Sequence, residues 1–457
     1  MKRIYFVGAG GIGMANLVRY YLSKGLDVAG YDRTPSQLTD ALSEEGAHLV
    51  FEDNADLIPE AFRSPEDTLV VYTPAVPESN AILSFFRRNG FEVIKRAALL
   101  GKITRNSDGI CVAGSHGKTT TSSMIAHILD TSDVGCNAFL GGILRNVGSN
   151  LILSPTSHWS VIEADEYDRS FHHLSPLVAI ITSTDPDHLD IYGDEEHYLE
   201  AFSIFTSLIR PGGLLLLHTG LKMKPDVAEG VTILTYSASE GGDCHAENIT
   251  FAEGRLTFDF VGPDTRIDGI ELGVPIEINV DNAVAATAAA LFAGASADDI
   301  RKGLATFLGA KRRFEFHLKD DVHPVLIDDY AHSPNEVSAS IRSVRRLYPG
   351  HRISVIFQPH LYTRTRDFAP EFADALSEAD ELILTEIYPA RELPIEGVTS
   401  DIIFDRVKSK KKTFCPRKDL LTLIKKRNFD VIMTLGAADI DRLLPEIKEL
   451  LLEKSRD

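Results

Sequence analysis

A glycine-rich loop between an apolar strand and a helix is the feature that most constrains this chain. The strand is predicted at residues 110–113 and the helix at residues 121–129. The loop consists of Gly114, Ser115, His116, Gly117, Lys118, Thr119 and Thr120. In such a loop backbone amides surround a β-phosphate, the lysine ammonium lies between the β- and γ-phosphates, and the next hydroxyl can bind Mg²⁺. The segment therefore predicts a parallel α/β sheet with an ATP site, in which Lys118 is catalytic and Thr119 is a metal ligand.

The loop departs from the usual phosphate loop at one position. The usual pattern has a glycine where this chain has Val112. This departure favours a particular subfamily over a generic ATPase. The alternative is a glycine turn with an incidental lysine, which the flanking strand and helix disfavour.

A second glycine loop lies near the N-terminus, directly after a predicted strand at residues 4–7. Its glycines are Gly8, Gly10, Gly11 and Gly13. They open a helix, and Asp32 stands at the end of the next predicted strand. Amides at such a helix N-terminus hold a diphosphate, and the acid can accept hydrogen bonds from a ribose or base. The pattern predicts a diphosphate site without identifying the ligand; a tight turn without ligand is the alternative.

Length and the alternation of strands with helices predict three domains. At about 150 residues per domain, a length of 457 residues predicts three domains. The alternation of strands and helices predicts an α/β fold, with Rossmann-like outer domains around a central ATPase domain. We place the domains at residues 1–107, 108–308 and 309–457. Within the middle domain, residues 231–280 contain short alternating segments that predict antiparallel hairpins. Strands of the third domain are predicted at 325–327, 353–357, 382–384 and 431–435.

Charge and cysteine usage exclude several classes of protein. A net charge of −19 repels nucleic acid and anionic membrane surfaces, and the basic cluster at residues 408–412 is interpreted as a solvated loop. The cysteines have no Cys-x-x-Cys spacing, which argues against a disulfide framework or zinc cage and is typical of a reducing cytoplasm. No apolar stretch approaches the roughly 18 residues of a membrane helix.

Two acidic segments follow apolar strands and indicate a cation. Residues 163–168 follow one strand, and residues 185–190 follow the next. A concentration of carboxylates is costly unless a cation lies among them. A solvated acidic loop is the alternative for either segment alone, but their pairing with a phosphate loop on one sheet favours Mg²⁺.

The motifs together resemble the Mur ligase family of ATP-dependent amide-bond-forming enzymes. The resemblance rests on the phosphate loop, on Glu-Ala-Asp-Glu at residues 163–166 and on Pro-Asp-His-Leu-Asp at residues 186–190. Three segments, at residues 8–14, 328–334 and 357–365, favour the alanine-adding branch, and residues 312–314, 388–392 and 394 are further matches. This branch implies UDP-N-acetylmuramate, ATP and L-alanine as substrates, an acyl-phosphate intermediate and Mg²⁺, with two ions expected.

The resemblance also implies roles for individual residues. The UDP-sugar is expected at the first glycine loop, with Asp32, Thr73 and Pro74 beside it. A second metal ion is expected between Glu166 and His188. Nucleotide contacts are implied for Asn279, Asn282, Arg313 and Asp329. The incoming alanine is implied to lie among Tyr330, His332 and Arg364, of which His332 and Arg364 are expected to be catalytic.

The chain departs from the family pattern near the first of these asparagines. The segment usually written Gly-x-His-Asn-x-x-Asn occurs at residues 276–282 with both asparagines but without the glycine and histidine. Several relatives carry a carbamylated lysine after the Asp-His segment. No lysine occurs between His188 and Arg210, so none is predicted here.

Two other classes of protein compete with the ligase hypothesis. A nicotinamide-dependent oxidoreductase would use the first glycine loop and Asp32 but leaves Lys118 unexplained. A mechanical or regulatory ATPase would use Lys118 but leaves the first glycine loop and residues 329–332 unexplained.

Overall fold

The computed structural model describes residues 2–186, 188–239, 241–252, 254–390 and 392–455. Asp187 and Arg391, which belong to two of the matching segments, lie outside these described residues. The chain divides into two compact units. The first contains residues 1–245, 261–265 and 282–303, and the second contains residues 246–260, 266–281 and 304–457.

The N-terminal part of the first unit is a parallel sheet with helices on both faces. Its strands, in the order β3-β2-β1-β4-β5, are β1 (Arg3–Val7), β2 (Asp27–Tyr31), β3 (His48–Val50), β4 (Thr68–Tyr72) and β5 (Glu92–Lys95). Its helices are α1 (Ile12–Ser23), α2 (Gln37–Glu44), α3 (Ala81–Arg88) and α4 (Arg96–Arg105).

Strand β1 is buried on both faces, as expected of a central parallel strand. Ile4 and Phe6 belong to one apolar cluster, while Tyr5 and Val7 belong to another. Because successive side chains of a strand point to opposite faces, one short apolar run supplies both layers. The run then ends at Gly8, and its carboxyl end carries the first glycine loop.

The rest of the first unit is a larger, mixed sheet that carries the phosphate loop. Its strands are β6 (Asp108–Ala113), β7 (Asn137–Leu144), β8 (Ser149–Ile152), β9 (Trp159–Glu163), β10 (Val178–Ile181), β11 (Leu214–His218) and β12 (Thr232–Ser237). They lie in the order β12-β11-β10-β6-β9-β7-β8, and all adjacent pairs are parallel except β7 with β8. The helices are α5 (Lys118–Asp130), α6 (Leu189–Tyr192) and α7 (Glu195–Ser207).

The prediction of antiparallel hairpins over residues 231–280 is wrong at the first strand and at the last residues of this range, and it fits the strands between them. Strand β12 pairs in parallel with β11, and helix α8 (Ile278–Phe292) begins before residue 280, followed by α9 (Ala297–Thr306). Between them β13 (Cys244–Ala252), β14 (Arg255–Gly262) and β15 (Thr265–Glu271) are sheet neighbours in chain order. Connections this short join only antiparallel strands.

The C-terminal part of the second unit is a six-stranded sheet with the predicted α/β series. Its order is β16-β17-β21-β18-β19-β20, with β16 antiparallel to β17 and the rest parallel. The strands are β16 (Glu315–Leu318), β17 (Val325–Asp329), β18 (Ile353–Phe357), β19 (Glu381–Leu384), β20 (Lys411–Phe414) and β21 (Val431–Leu435). The helices are α10 (Pro334–Leu347), α11 (Tyr362–Asp367), α12 (Ala369–Leu376), α13 (Asp401–Phe404), α14 (Leu420–Lys425) and α15 (Leu444–Leu452).

The basic cluster at residues 408–412 is not simply a solvated loop, because its end forms part of β20. Lys411 pairs with the fully buried Glu381 at 2.9 Å. The ammonium of Lys412 donates to the carbonyls of Phe404 and Val407 at 2.7 and 3.0 Å. These lysines stabilise the sheet edge and a helix C-terminus. No helix among the described residues is long and apolar enough to cross a membrane.

Candidate active site

The phosphate loop lies at the carboxyl end of β6 and runs into α5, as the sequence predicts. Gly114 and Gly117 have φ angles of 139° and 84°, which L side chains rarely adopt. A Cβ on Gly114 would lie 2.2 Å from Oγ1 of Thr182, so only glycine fits there. Gly117 is the N-cap of α5, and no side chain caps this helix end. The free amides of the first turn are therefore available to an anion.

Hydroxyl groups beyond the end of the adjacent strand β10 hold this loop, and sequence analysis missed them. Thr182 Oγ1 donates to the carbonyl of Ala113 at 3.1 Å and also to the carbonyl of His116. Ser183 Oγ accepts from the His116 amide at 2.7 Å. The signal for both was their position immediately after an apolar strand that neighbours β6.

Lys118, Glu166 and His188 come together as the resemblance implies. The Lys118 ammonium donates to Glu166 Oε1 at 2.8 Å and also to the carbonyl of Gly114. Glu166 is 2% exposed, and its Oε2 has no hydrogen-bond partner among the described residues. His188 Nε2 lies 4.0 Å from Glu166 Oε1. A buried carboxylate oxygen without a partner is costly and is satisfied by a donor or cation that binds there.

Thr119 lies beside a different carboxylate from the one expected. Its hydroxyl donates to Glu163 Oε1 at 3.0 Å, and Glu163 Oε2 accepts from the Gly141 amide at 2.9 Å. Burial raises the pKa of Glu163, while these two hydrogen bonds oppose the shift. Glu163 is the last residue of β9, at the edge where ligands of parallel sheets bind. It lies in a predicted acidic segment, but sequence analysis did not single it out.

The residues around the phosphate loop fit a magnesium ion. They offer the Thr119 hydroxyl, the Glu163 carboxylate and the free oxygen of Glu166, and Mg²⁺ prefers oxygen ligands. Within the described residues no group of three or more metal-ligating side chains is already assembled. This is compatible with Mg²⁺, which usually keeps several waters and takes further ligands from substrate phosphates.

The two asparagines predicted near the nucleotide belong to different compact units. In the first unit, Asn282 Oδ1 accepts from Thr121 Oγ1 at 3.0 Å and lies 3.0 Å from the position of a Cβ on Gly117. Asn282 is therefore beside the phosphate loop. In the second unit, Asn279 is buried and its amide donates to the carbonyl of Val274 at 3.1 Å.

The first glycine loop lines an open cleft of about 880 Å³. Asp32 orders this loop: its Oδ2 accepts from the Gly10 amide at 2.7 Å, and its Oδ1 accepts from the Thr34 amide at 3.1 Å. All four predicted glycines, Asp32 and Thr73 line the cleft. Pro74 is not among its lining residues, although its neighbours Thr73 and Ala75 are.

A smaller cavity of about 240 Å³ adjoins this cleft. Its lining includes Gly13, Arg96, Gly141, Glu163 and Asp165. Gly13 and Arg96 line both cavities. The smaller cavity therefore leads from the first glycine loop to the carboxylate that holds Thr119 of the phosphate loop. No sequence motif pointed to this connection.

In the second unit, the two buried aspartates at the end of β17 are held by hydrogen bonds and one ion pair. Asp329 is buried and accepts from the amide of Phe314 at 3.3 Å and from Ser340 Oγ. Burial raises the pKa of Asp329. Arg312 Nε donates to the buried Asp328 at 3.2 Å, and the guanidinium of Arg313 lies 5.4 Å from the ring centre of Tyr330.

The predicted alanine-binding residues lie near one another around His332. Its Nδ1 donates to the carbonyl of Tyr330 at 2.9 Å and lies 3.3 Å from Glu336 Oε2. Burial lowers the pKa of His332; Glu336 opposes this shift, and the charges of Arg364 and Arg313 add to it. Glu336 was not predicted as a site residue. Together with Ser333 it forms the capping box at the N-terminus of α10. A neutral imidazole in this arrangement presents Nε2 as a proton acceptor.

These features define an α/β protein with a phosphate-type glycine loop and a separate cleft lined by a second glycine loop, and comparison with known proteins specifies the family. Residues 3–108 match the model described as "Mur ligase family, catalytic domain", residues 112–290 match "Mur ligase middle domain", and residues 312–438 match "Mur ligase, glutamate ligase domain". The chain belongs to the Mur ligase family.

The chain is similar to curated enzymes over its whole length. It is 59% identical to the UDP-N-acetylmuramate–L-alanine ligase of Parabacteroides distasonis, covering 99% of this chain and 98% of the relative. It is 54% identical to the enzyme of that name from Phocaeicola vulgatus, covering 99% of both. The crystal structure of UDP-N-acetylmuramate-alanine ligase from Thermotoga maritima superposes with a TM-score of 0.77 at 27% identity, covering 99% of both chains. The predicted family and the three-domain α/β fold class are confirmed.

Proposed function

We propose that the protein joins L-alanine to the carboxylate of UDP-N-acetylmuramate and consumes ATP, as a step of peptidoglycan precursor synthesis. One observation carries the proposal: the smaller cavity extends from Gly13 of the first glycine loop to Glu163, whose carboxylate accepts a hydrogen bond from Thr119 of the phosphate loop. A nucleotide sugar held at the first loop would extend its carboxylate toward the γ-phosphate of ATP at the second. The similarity to ligases of this name supports the same assignment.

The chemistry follows from the need to make an amide in water. A carboxylate oxygen of the substrate attacks the γ-phosphorus of ATP, ADP leaves, and an acyl phosphate forms. The amine of alanine then attacks the acyl carbon, and inorganic phosphate leaves as the C–N bond forms. The Lys118 ammonium compensates charge on the transferring phosphoryl group.

Bound Mg²⁺ supplies further neutralisation of the phosphate charge. Thr119 and Glu163 would hold one ion, and Glu166 and His188 would hold a second. In the free protein Lys118 and Glu166 neutralise each other. Because Glu166 retains a free oxygen, it can bind a cation without releasing Lys118 completely.

The amine must lose a proton before it attacks. His332 is the group that we assign to this step, because its Nδ1 is committed to the Tyr330 carbonyl and its Nε2 is the acceptor. Arg364 pairs with the carboxylate of alanine. Asn279, Asn282, Arg313 and Asp329 are assigned to the nucleotide.

The three parts of the chain would divide the substrates among them. Residues 1–107 would bind the UDP-sugar, residues 108–308 would bind ATP and residues 309–457 would receive the amino acid. Two of these substrates, ATP and a nucleotide sugar, are cytoplasmic metabolites, and all four cysteines are free. We therefore place the protein in the cytoplasm, without nucleic acid or a membrane as partner.

Phosphate release measured with each component omitted tests the proposal. We expect release only when ATP, Mg²⁺, UDP-N-acetylmuramate and L-alanine are all present, with the alanylated nucleotide detected by mass spectrometry. Release with ATP alone would favour a mechanical ATPase. Turnover of a nicotinamide cofactor would favour an oxidoreductase, and preference for a free tripeptide over alanine would indicate a recycling ligase.

A further inference from the structure

Arg96, the first residue of α4, stands where the two cavities of the first unit meet. It lines the large cleft and the smaller cavity. A Cβ built on Gly13 would lie 2.5 Å from Nη1 of Arg96. The guanidinium therefore packs directly against the glycine loop. It occupies the space that a side chain at position 13 would fill.

Arg96 has no ionic partner among the described residues of the chain. The side chain is partly buried, and no acceptor among the described residues lies within hydrogen-bonding distance of its guanidinium. Other partly buried arginines of this unit do have partners: Arg19 pairs with Glu45 and Arg210 with Asp108. Holding a guanidinium partly out of water without an anion is unfavourable, so this position suits a negatively charged ligand.

Two helix N-termini add to the positive potential at this point. Neither α1, which starts beside Gly11, nor α4 has a capping side chain or an acidic residue in its first turn. A helix N-terminus carries a partial positive charge, so an arginine at the start of α4 is itself unfavourable there. An anion beside Gly13 and Arg96 would relieve both the helix ends and the guanidinium.

We propose that Arg96 is a positioning residue that binds the β-phosphate of the nucleotide sugar. The inference rests on the proposed function, in which the large cleft holds the UDP moiety. The far part of the large cleft is lined by Tyr31, Phe51 and Asn80, which do not reach the smaller cavity. Glu163, in contrast, lines only the smaller cavity. The group between nucleoside and sugar is the diphosphate, and its sugar-side phosphate belongs at the junction. Arg96 thereby determines how far the sugar and its carboxylate reach toward Glu163.

Calorimetric titration with UDP and with UMP tests this assignment, because the two ligands differ by the β-phosphate. The variants are Arg96→Gln, Arg96→Lys and, as a matched control, Lys95→Gln at the exposed neighbour. We expect Arg96→Gln to weaken UDP binding by about 10- to 100-fold, as for the loss of a charge-assisted phosphate contact, and UMP binding by less than about threefold. Arg96→Lys should recover part of the loss, and Lys95→Gln should bind both ligands normally.

Kinetics provide a second readout. Arg96→Gln should raise the KM for UDP-N-acetylmuramate and leave the KM for ATP unchanged, since the phosphate loop is intact. Equal weakening of UDP and UMP, or unchanged UDP binding, would overturn the role of Arg96 while leaving the proposed function in place. Failure of the unaltered protein to bind UDP would overturn the proposed function and this inference with it. If a melting experiment shows that Arg96→Gln folds poorly, the comparison of UDP with UMP binding is made with Arg96→Lys instead. A weaker binding of UDP but not of UMP then supports the role of Arg96.

Discussion

Lys118 is the residue to which we assign the most direct part in the proposed ATP chemistry. Its ammonium lies in the loop that would surround the phosphates and is already oriented by Glu166 and Gly114. Removing it leaves the γ-phosphoryl charge uncompensated in the transition state. We expect Lys118→Ala to lower the ligation rate by about 10³-fold or more, with the fold retained.

A matched lysine provides the control for that measurement. Lys102 pairs with Glu92 at 2.8 Å on the surface of the first unit. Lys102→Ala should keep normal activity in the same phosphate-release assay. Near-normal ligation by Lys118→Ala would show that this loop is not the ATP site.

Glu163 should make the stability of the free protein depend on pH. Burial raises its pKa in the folded state, so between the unfolded pKa, about 4.3, and the folded pKa the folded state binds more protons. Stability therefore falls as pH rises through this window. Glu163→Gln removes the ionisation, so its melting temperature relative to the unaltered protein should increase from pH 4.5 to pH 8.

The same melting series should separate this effect from a general change in charge. Glu449→Gln, at an exposed position on α15, should show no such trend. A difference for Glu163→Gln that stays constant over the whole pH range would contradict a raised pKa at this carboxylate. The variant should also lose most ligase activity, because Thr119 loses its carboxylate partner.

At the scale of elements, the ends of strands carry the glycine loops, which the sequence predicts, and the tertiary partners of those loops, which it does not. The two glycine loops were predictable because a strand, a loop and a helix follow one another within a few residues. The partners of those loops were not, since Thr182 reaches the phosphate loop only through the pairing of β10 with β6. Glu336 and Arg96 were not predicted as site residues for the same reason, because tertiary packing determines their neighbours. Strand β12 was mistaken for a hairpin because alternation alone does not distinguish a parallel edge from a meander.

The contact between Thr182 and the phosphate loop can be tested by an isosteric change. Thr182→Val removes the hydrogen bonds to Ala113 and His116 but keeps the shape of the side chain. A loop that is less well ordered holds the phosphates less well, so we expect the KM for ATP to rise about tenfold. Binding of UDP should not change, because we propose that UDP binds at the first glycine loop, away from Thr182.

The control for this change is another buried threonine in the same unit. Thr206 lies on α7, where its hydroxyl donates to the Ser203 carbonyl at 2.7 Å. Thr206→Val should cost some thermal stability without a change in the KM for ATP. If both variants shift the KM equally, the effect of Thr182→Val is a general loss of packing.

At the scale of the whole molecule, an acidic protein must attract three anionic or zwitterionic substrates. The net charge is −19, so attraction has to come from local cations and helix N-termini. Arg96 lies at the first glycine loop, Lys118 at the phosphate loop and Arg364 near His332. Each compact unit therefore contains its own positive site, and in the first unit a cavity extends from Gly13 and Arg96 to Glu163, the carboxylate beside Thr119 of the phosphate loop.

The choice of amino acid is the last property that this arrangement predicts. Arg364 offers one positive charge for a carboxylate, and Tyr330 and His332 lie 5.2 Å apart between ring centres. An amino-acid site beside these two rings should exclude long side chains. It discriminates weakly against the loss of one methyl group, which is worth about 1–3 kcal/mol. We expect L-alanine to be the best acceptor, glycine and L-serine to react more slowly, and D-glutamate, lysine and diaminopimelate to be inactive.

Competition between acceptors, read by mass spectrometry of the nucleotide product, measures this order directly. Equal mixtures of L-alanine, glycine and L-serine with UDP-N-acetylmuramate should give mostly the alanine product, with about 10- to 200-fold less of the glycine product for a difference of one methyl group. Arg364→Gln should raise the KM for all three amino acids together, because each has the same carboxylate. A variant that changed the ratio of products but not the KM values would place Arg364 beside the side chain of the amino acid. A requirement for an already alanylated nucleotide would move the protein to a later step of the pathway.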